Sequence, residues 1–301
     1  LSHPDLEFLF TVEEETTFKG AVTFPYDKVK SKRLINLDNS KDDTVFVGAD
    51  GDICNEYRFK GKLVQNDLPS YKVRINGFPG GNSGENVSLS GNNAITTMAR
   101  LLNGKEIFLR SIDGGTAEND LATTCQVVLN TDIDIYDVFK DTNVKIEPIN
   151  NKTCFSKNDT IKILNEILEL KGGFISDDLA SANLGLISTT ENEIKICYIL
   201  RSMNANRLKE IDSESKLLKN DFVVTEIYTD PIWEINPNSI MLRKYKELYF
   251  KKFSSYPKEE VWHGGIECAA IKKNIKDLDI ISIGGTIKDY HTTNETTYIS
   301  S

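Results

Sequence analysis

Leu6-Glu7-Phe8-Leu9-Phe10-Thr11-Val12-Glu13-Glu14-Glu15-Thr16-Thr17-Phe18-Lys19-Gly20 is the stretch on which the reading of the fold turns. An apolar run from Phe8 to Val12 breaks off into three adjacent carboxylates, Glu13, Glu14 and Glu15. The run is short and rich in β-formers, so it predicts a buried strand with the acids at its end. In an open α/β sheet, that end is where ligands and metals gather. Three like charges side by side are costly unless cations or protons offset them. The alternative is a solvated acidic turn. Asp38, which also ends an apolar run, and His291, near the far terminus, favour the first reading.

Outward from this stretch, a helical turn is expected around Phe18 to Phe24 and a second strand over Arg33 to Asp38. The composition then shifts to alternating strand and helix patterns with many Gly, Asn and Asp turns. Strands are predicted over 62–65, 71–75, 107–112, 123–129, 194–200 and 222–227. Amphipathic helices are predicted over 94–102 and 161–170. Such a segment suits an α+β domain with helices on one face of a mostly antiparallel sheet. From Tyr228 the pattern changes again. A helix over 239–253 is announced by the cap Ser239 and stopped before Pro257, and strands follow over 260–262 and 278–283. The organisation expected is one α/β domain in two pieces, 1–39 and 227–301, with a domain inserted over 40–226.

With 301 residues the chain can bury a core large enough for two domains. Lys and Arg number 36 against 45 Asp and Glu, a formal charge of -9 that argues against a nucleic-acid partner. Cys54, Cys125, Cys154, Cys197 and Cys268 form no Cys-x-x-Cys pair, which predicts reduced thiols and a cytoplasmic location. No run reaches membrane-spanning length, so no membrane association is expected. The Asn-x-Ser/Thr triplets at Asn86 and Asn151 are read as chance in an Asn-rich chain. The missing initiator Met suggests a fragment or a processed product.

Carboxylate and imidazole ligands together suit Zn²⁺, Co²⁺ or Mn²⁺, and a site with open positions can activate water. Of two adjacent acids, one can bind metal while the other takes the water's proton. His3, His263 and His291 are the only imidazoles available. His263 and His291 each follow a predicted strand near glycines, where a hydrogen-bonded loop histidine is the alternative reading. From the residues alone, the reading reaches a carboxylate-rich metal site in a cleft between two domains.

The chain resembles the aminoacyl-histidine dipeptidase (peptidase D) branch of the dinuclear-zinc aminoacylase and carboxypeptidase clan. The matching stretches are Leu9 to Thr16, Leu34 to Asp38, Gly80-Gly81-Asn82-Ser83-Gly84 and Gly91-Asn92-Asn93-Ala94. They continue with Ser111 to Asn119, Ser181-Ala182-Asn183-Leu184-Gly185, Leu200-Arg201-Ser202, His263 to Cys268, and Ile281 to Thr286 leading to His291. The resemblance implies a mixed α/β zinc-peptidase fold with an inserted α+β lid and dimerisation domain, a homodimer, and two zinc ions per subunit. Its implied reaction is hydrolysis of small peptides, Xaa-His among them, by metal-activated water. Glu14 then matches the general base, Glu15 and His291 ligands of one zinc, and Asp38 a ligand of the other. Asn82, Asn119, Arg201 and His263 fall at substrate-contacting positions, and Glu267 beside the cleft. For Arg201, a bidentate grip on a peptide carboxylate competes with a structural salt bridge.

Departures accompany the matches. The family's first ligands, a His-x-Asp and a bridging Asp, lie upstream of a position like Leu6, and its last helix follows the His291 motif. Residues 1–301 alone are therefore expected to bind zinc weakly and to hydrolyse no dipeptide. The family's Gly-Gly-His-Ser-Gly reads Gly80-Gly81-Asn82-Ser83-Gly84, and its Asn-Ala-Ile-Pro reads Asn119-Asp120-Leu121-Ala122. Two readings follow: a metallodipeptidase, or a non-catalytic relative that keeps the fold for binding or dimerisation.

Overall fold

The structure is a computed structural model that describes residues 4–14, 18–175, 180–217, 221–288 and 294–299. The chain divides into two compact units, Leu1–Gly51 with Asp230–Ser301, and Asp52–Thr229.

In the first unit, four strands pair in the spatial order Arg33–Asn36, Asp279–Ser282, Thr44–Ala49, Lys258–Trp262. The outer pairs are parallel and the central pair antiparallel, so the sheet is mixed. Side chains alternate across it with the two-residue period of a strand. Phe46 and Ile280 pack on one face with Ala21, Ala270 and Ile271, from the helices Lys19–Thr23 and Glu267–Asn274. Val45, Val47 and Ile281 pack on the other with Met241, Leu242 and Tyr245 of the helix Ile240–Phe253. That helix starts where expected, because the Ser239 side chain accepts the Leu242 N–H at 2.9 Å. Trp233 is buried and exchanges two backbone hydrogen bonds with Ala49, tying the returning chain to the sheet.

The second unit is built on one large sheet, nine-stranded among the described residues, with antiparallel pairings. The helices Ala94–Leu102 and Lys157–Glu169 lie against it and share its core through Ile95, Met98, Ile163 and Ile167. A bulge between Leu109 and Ser111 breaks the register with the neighbouring strand. The Thr160 hydroxyl takes up the Leu109 N–H there, at 3.1 Å.

Two expectations are corrected. Phe8 to Val12 form no strand: Phe8 is 78% and Phe10 88% exposed, and only Leu9 packs against the core. An apolar run becomes a strand only where a partner strand meets its backbone, and none does among the described residues. The change of unit also falls after Gly51 rather than near residue 40. Thr44–Ala49 is a buried strand of the first unit, paired in parallel with Lys258–Trp262.

Candidate functional site

In the first unit, Thr11 and the Asp38 charge both act on Glu267, the first residue of the helix Glu267–Asn274. Gly20 lies so close to the preceding segment that a Cβ there would sit 2.4 Å from the Val12 nitrogen. Its own N–H bonds the Val12 carbonyl at 3.0 Å. This contact holds Thr11 in place to donate to Glu267 Oε2 at 2.9 Å. Glu13 then turns the chain with a left-handed φ of 57° and pairs with Lys19 at 3.3 Å, and the half-buried Glu14 follows.

Asp38 sits exposed, just past its strand, where its N–H is held by Asn36 Oδ1 at 3.0 Å. The same Asn36 oxygen accepts from the Ser282 hydroxyl at 2.7 Å, so two neighbouring strands fix the turn that presents Asp38. Glu267 is only 8% exposed, and its Oε1 has no hydrogen-bond partner among the described residues. Burial raises its pKa, the Thr11 hydroxyl works against that, and the Asp38 charge raises it further. Burial and the Glu267 charge in turn push the Tyr26 hydroxyl up to about 12. Glu267, which the sequence reading left beside the cleft, is thus a raised acid next to the candidate residues. Glu15 and His291 lie outside the described residues. Among those described, no three His, Cys, Asp or Glu side chains converge to hold a metal ion. Asp38, the described member of the expected ligand set, is an exposed carboxylate of the oxygen-donor chemistry a zinc takes.

His263 ends the strand Lys258–Trp262 and places its Nδ1 3.1 Å from Asp50 Oδ2. Asp50 is a partner that sequence reasoning missed. Its side chain is buried, and its own N–H bonds the Trp262 carbonyl at 2.9 Å. With Asp50 ionised, Nδ1 carries the ring hydrogen, which fixes both tautomer and ring orientation.

In the second unit, the loop after Gly80 and the loop after Gly114 are stitched together. Ser83 donates twice to the Asn119 carbonyl, from N at 2.8 Å and from Oγ at 2.7 Å. Arg201, on the strand Glu193–Ser202, donates from Nη1 to Ser83 Oγ at 2.9 Å. Its Nε lies 3.4 Å from Asp52 Oδ1, an ion pair on the neighbouring strand that falls short of a hydrogen bond. Asn82 bridges Asp120, and its Oδ1 accepts the Gly84 N–H at 2.8 Å. That bond assigns the amide oxygen and leaves the NH₂ as the side chain's donor. Beneath the second loop, Asn183 donates to the carbonyls of Glu118 and Asp120 at 3.1 and 2.9 Å. Gly115, with φ +79°, and Gly185 let the loop lie directly on the strand Ser181–Thr190. A Cβ on Gly115 would meet the Gly185 oxygen at 1.9 Å, and one on Gly185 would meet the Glu118 oxygen at 2.1 Å.

No protein-family profile matches the sequence. Over 99% of its length the chain is 26% identical to the cytosol non-specific dipeptidase of Escherichia coli (strain K12), and the match spans 69% of that protein. Its fold matches the crystal structure of aminoacylhistidine dipeptidase from Vibrio alginolyticus with a TM-score of 0.76 at 21% identity. That match covers 96% of this chain and 66% of the other, so the chain spans about two thirds of the length of these relatives. The chain is similar in sequence to the first of these dipeptidases and in fold to the second. Its fold is their mixed α/β fold.

Within that fold, the structure brings together some of the residues singled out in the sequence. Asp38 and Glu267 act on each other in the first unit. Asn82, Asn119 and Arg201 meet in the second through Ser83. Ser83 lay inside a quoted motif but has no chemistry of its own to announce it. Asp50 and Asp52 flank Gly51 in a turn-like Gly-Ala-Asp-Gly-Asp stretch, Gly48 to Asp52, and nothing in the sequence separated them from solvated loop acids.

Proposed function

We propose that the protein is a metal-dependent dipeptidase acting on small peptides, Xaa-His dipeptides among them, with Glu14 as general base. The observation that carries the reading is the match to a dipeptidase along 99% of the chain. It is supported by a raised, buried acid beside Asp38 in the unit that also holds Glu14. Glu15 and His291 are the proposed ligands of one zinc and Asp38 a ligand of a second. The metal would supply a Lewis acid and lower the pKa of a water. Glu14 takes the proton of the attacking water and returns it to the leaving amine. Asn82 offers its NH₂ to the oxygen that becomes negative, and Asn119 and His263 line the substrate. The second unit is proposed as lid and dimerisation domain, the protein as a cytoplasmic homodimer without nucleic-acid or membrane partners. Among the described residues, no helix is long and apolar enough to cross a membrane.

The second reading, a non-catalytic relative, is favoured by one observation: Asn82 stands where the resemblance calls for His. The deciding test is hydrolysis of Xaa-His and other dipeptides by the complete purified protein, with and without chelator, alongside elemental analysis of its metal. Chelator-sensitive turnover supports the dipeptidase. Stoichiometric metal without turnover supports the binding protein.

A further inference from the structure

Among the described residues, the segment leading to Glu14 joins no strand, and Phe8, Phe10 and Val12 stand exposed. Individual ties hold it instead. The Gly20 N–H reaches the Val12 carbonyl at 3.0 Å and Lys19 pairs with Glu13 at 3.3 Å, both from the next stretch of chain. The Lys19–Glu13 pair is exposed on both sides, and such pairs hold weakly. The Thr11 hydroxyl, by contrast, crosses 256 positions of chain to Glu267 Oε2, at 2.9 Å. We propose that Glu267 is a positioning residue for Glu14: by accepting the Thr11 hydroxyl, its carboxylate fastens the segment 11–14 to the helix Glu267–Asn274. The proposal rests on the reading of Glu14 as general base.

The helix makes a firm post. Cys268, Ala269, Ala270 and Ile271 are buried directly behind Glu267 and share a core with Phe46 and Ile280 of the sheet. An acid at the start of a helix can hydrogen-bond the free N–H groups of its own first turn. Glu267 makes no such bond: Oε2 takes the Thr11 hydroxyl, and Oε1 is buried without a hydrogen-bond partner among the described residues. A buried oxygen left unpaired is destabilising, and departures of that kind are characteristic of functional sites. What the carboxylate does hold is the segment that leads to Glu14. Between Thr11 and Glu14, Val12 is bonded to Gly20 and Glu13 turns the chain with a φ of 57°, so a shift at Thr11 passes on to Glu14. A general base has to lie within hydrogen-bond reach of its water. Misplacing a catalytic group by about 1 Å can lower the rate by about 10².

The test compares the complete protein with Thr11→Val, Thr11→Ser, Glu267→Gln, Glu267→Leu and the double variant Thr11→Val/Glu267→Leu, in steady-state kinetics on a dipeptide. Thr11→Val keeps the side chain's shape and removes its hydroxyl. It is expected to lower kcat by about tenfold or more with KM within about threefold. Thr11→Ser keeps the donor and Glu267→Gln keeps an acceptor, so each stays within about threefold of the parent. The double variant is no worse than the poorer single one, because both remove the same bond. An unchanged kcat in Thr11→Val overturns the proposal. So does a loss in Glu267→Gln as deep as in Glu267→Leu, which would make the charge, rather than the bond, what the site needs. Hydrogen exchange at the Gly20 amide, which bonds the Val12 carbonyl, reads the segment without activity. It should quicken about tenfold in Thr11→Val and stay unchanged in Thr11→Ser. Unchanged exchange in Thr11→Val overturns the fastening whatever the kinetics. A parent protein that hydrolyses no dipeptide but shows this exchange pattern overturns the dipeptidase reading and leaves the fastening standing.

Discussion

In the first unit the candidate residues hang from ends and edges. Glu14 follows an irregular, exposed segment, and Asp38 projects past a strand whose turn is held by one asparagine oxygen. In the second unit the candidate residues are backed by a closed set of bonds: Asn119 is held by its carbonyl, Asn82 by its amide oxygen, and both loops rest on Asn183 and Arg201. The contrast separates two ways of preparing a site. Like charges gathered at strand ends repel and leave their arrangement to be completed by cations or protons. Hydrogen-bond donors aimed by backbone contacts are set before any ligand arrives, which is how electrostatic stabilisation gains its effect.

Four experiments break or sharpen that contrast. The largest effect is expected in the first unit: Glu14→Gln in the complete protein should lower kcat by about 10²–10⁴, the usual contribution of a general base. A loss under threefold would remove Glu14 from the chemistry. Next, Asn82→His should raise dipeptide turnover, by up to the roughly 10²–10³ that one oxyanion donor contributes. It should do so with the denaturation midpoint unchanged, because an imidazole nitrogen can take over the Gly84 N–H that the Asn82 oxygen accepts. No gain would show that position 82 has lost the role the resemblance assigns.

Third, Asn183→Leu should destabilise the protein by about 2 kcal/mol in urea unfolding, since two half-buried carbonyls lose this donor, at the low end of about 1–3 kcal/mol each. An unchanged midpoint would mean that the second loop is held without it. The smallest effect concerns Asp230 of the first unit, whose pKa burial raises above 3.8 against a lowering by Lys273. A raised carboxyl favours the folded state below its unfolded pKa and loses that contribution as pH climbs through the folded one. Asp230→Asn should therefore match the parent at pH values below 3.8 and become progressively more stable than it as pH rises above. A constant difference in melting temperature across that range would exclude burial of the charge as the cause.

Much of the architecture could be read from the chain. Predicted strands at 107–112 and 194–200 lie within observed ones, and 123–129 overlaps Cys125–Thr131, because each pairs an apolar face with turn signals on both sides. Several strands were not read, among them Thr44–Ala49, Gly51–Lys60, Val144–Ile149 and Ser181–Thr190. Thr44–Ala49 is buried along its whole length, so it shows no alternation, and Gly48 inside it reads as a turn. Gly51–Lys60 alternates only in its second half, and Ser181–Thr190 passed for a loop motif because of Asn183 and Gly185. Phe8 to Val12 failed in the opposite sense, since composition can favour a strand without supplying its neighbour. At the site, chemically expressive residues such as Asp38, Asn82 and Arg201 were found in sequence. Asp50, Asp52 and Ser83 were not, because their roles come from contacts across 213, 149 and 118 positions of chain, of which local pattern carries no trace.

Gly115 and Gly185 set a rule for how this protein can drift. Each occupies a place where one added carbon would collide with the other's segment, so neither position admits a second letter without moving the loop. Residues 119–122 depart from the resembled Asn-Ala-Ile-Pro at three of their four positions, yet the loop beneath Asn119 is held by main-chain groups that those side chains do not supply. Its vocabulary differs while its address is fixed. Of the three departing positions, Leu121 and Ala122 are buried and Asp120 is half-buried, so the loop's place is constrained by its packing as well as by the two glycines.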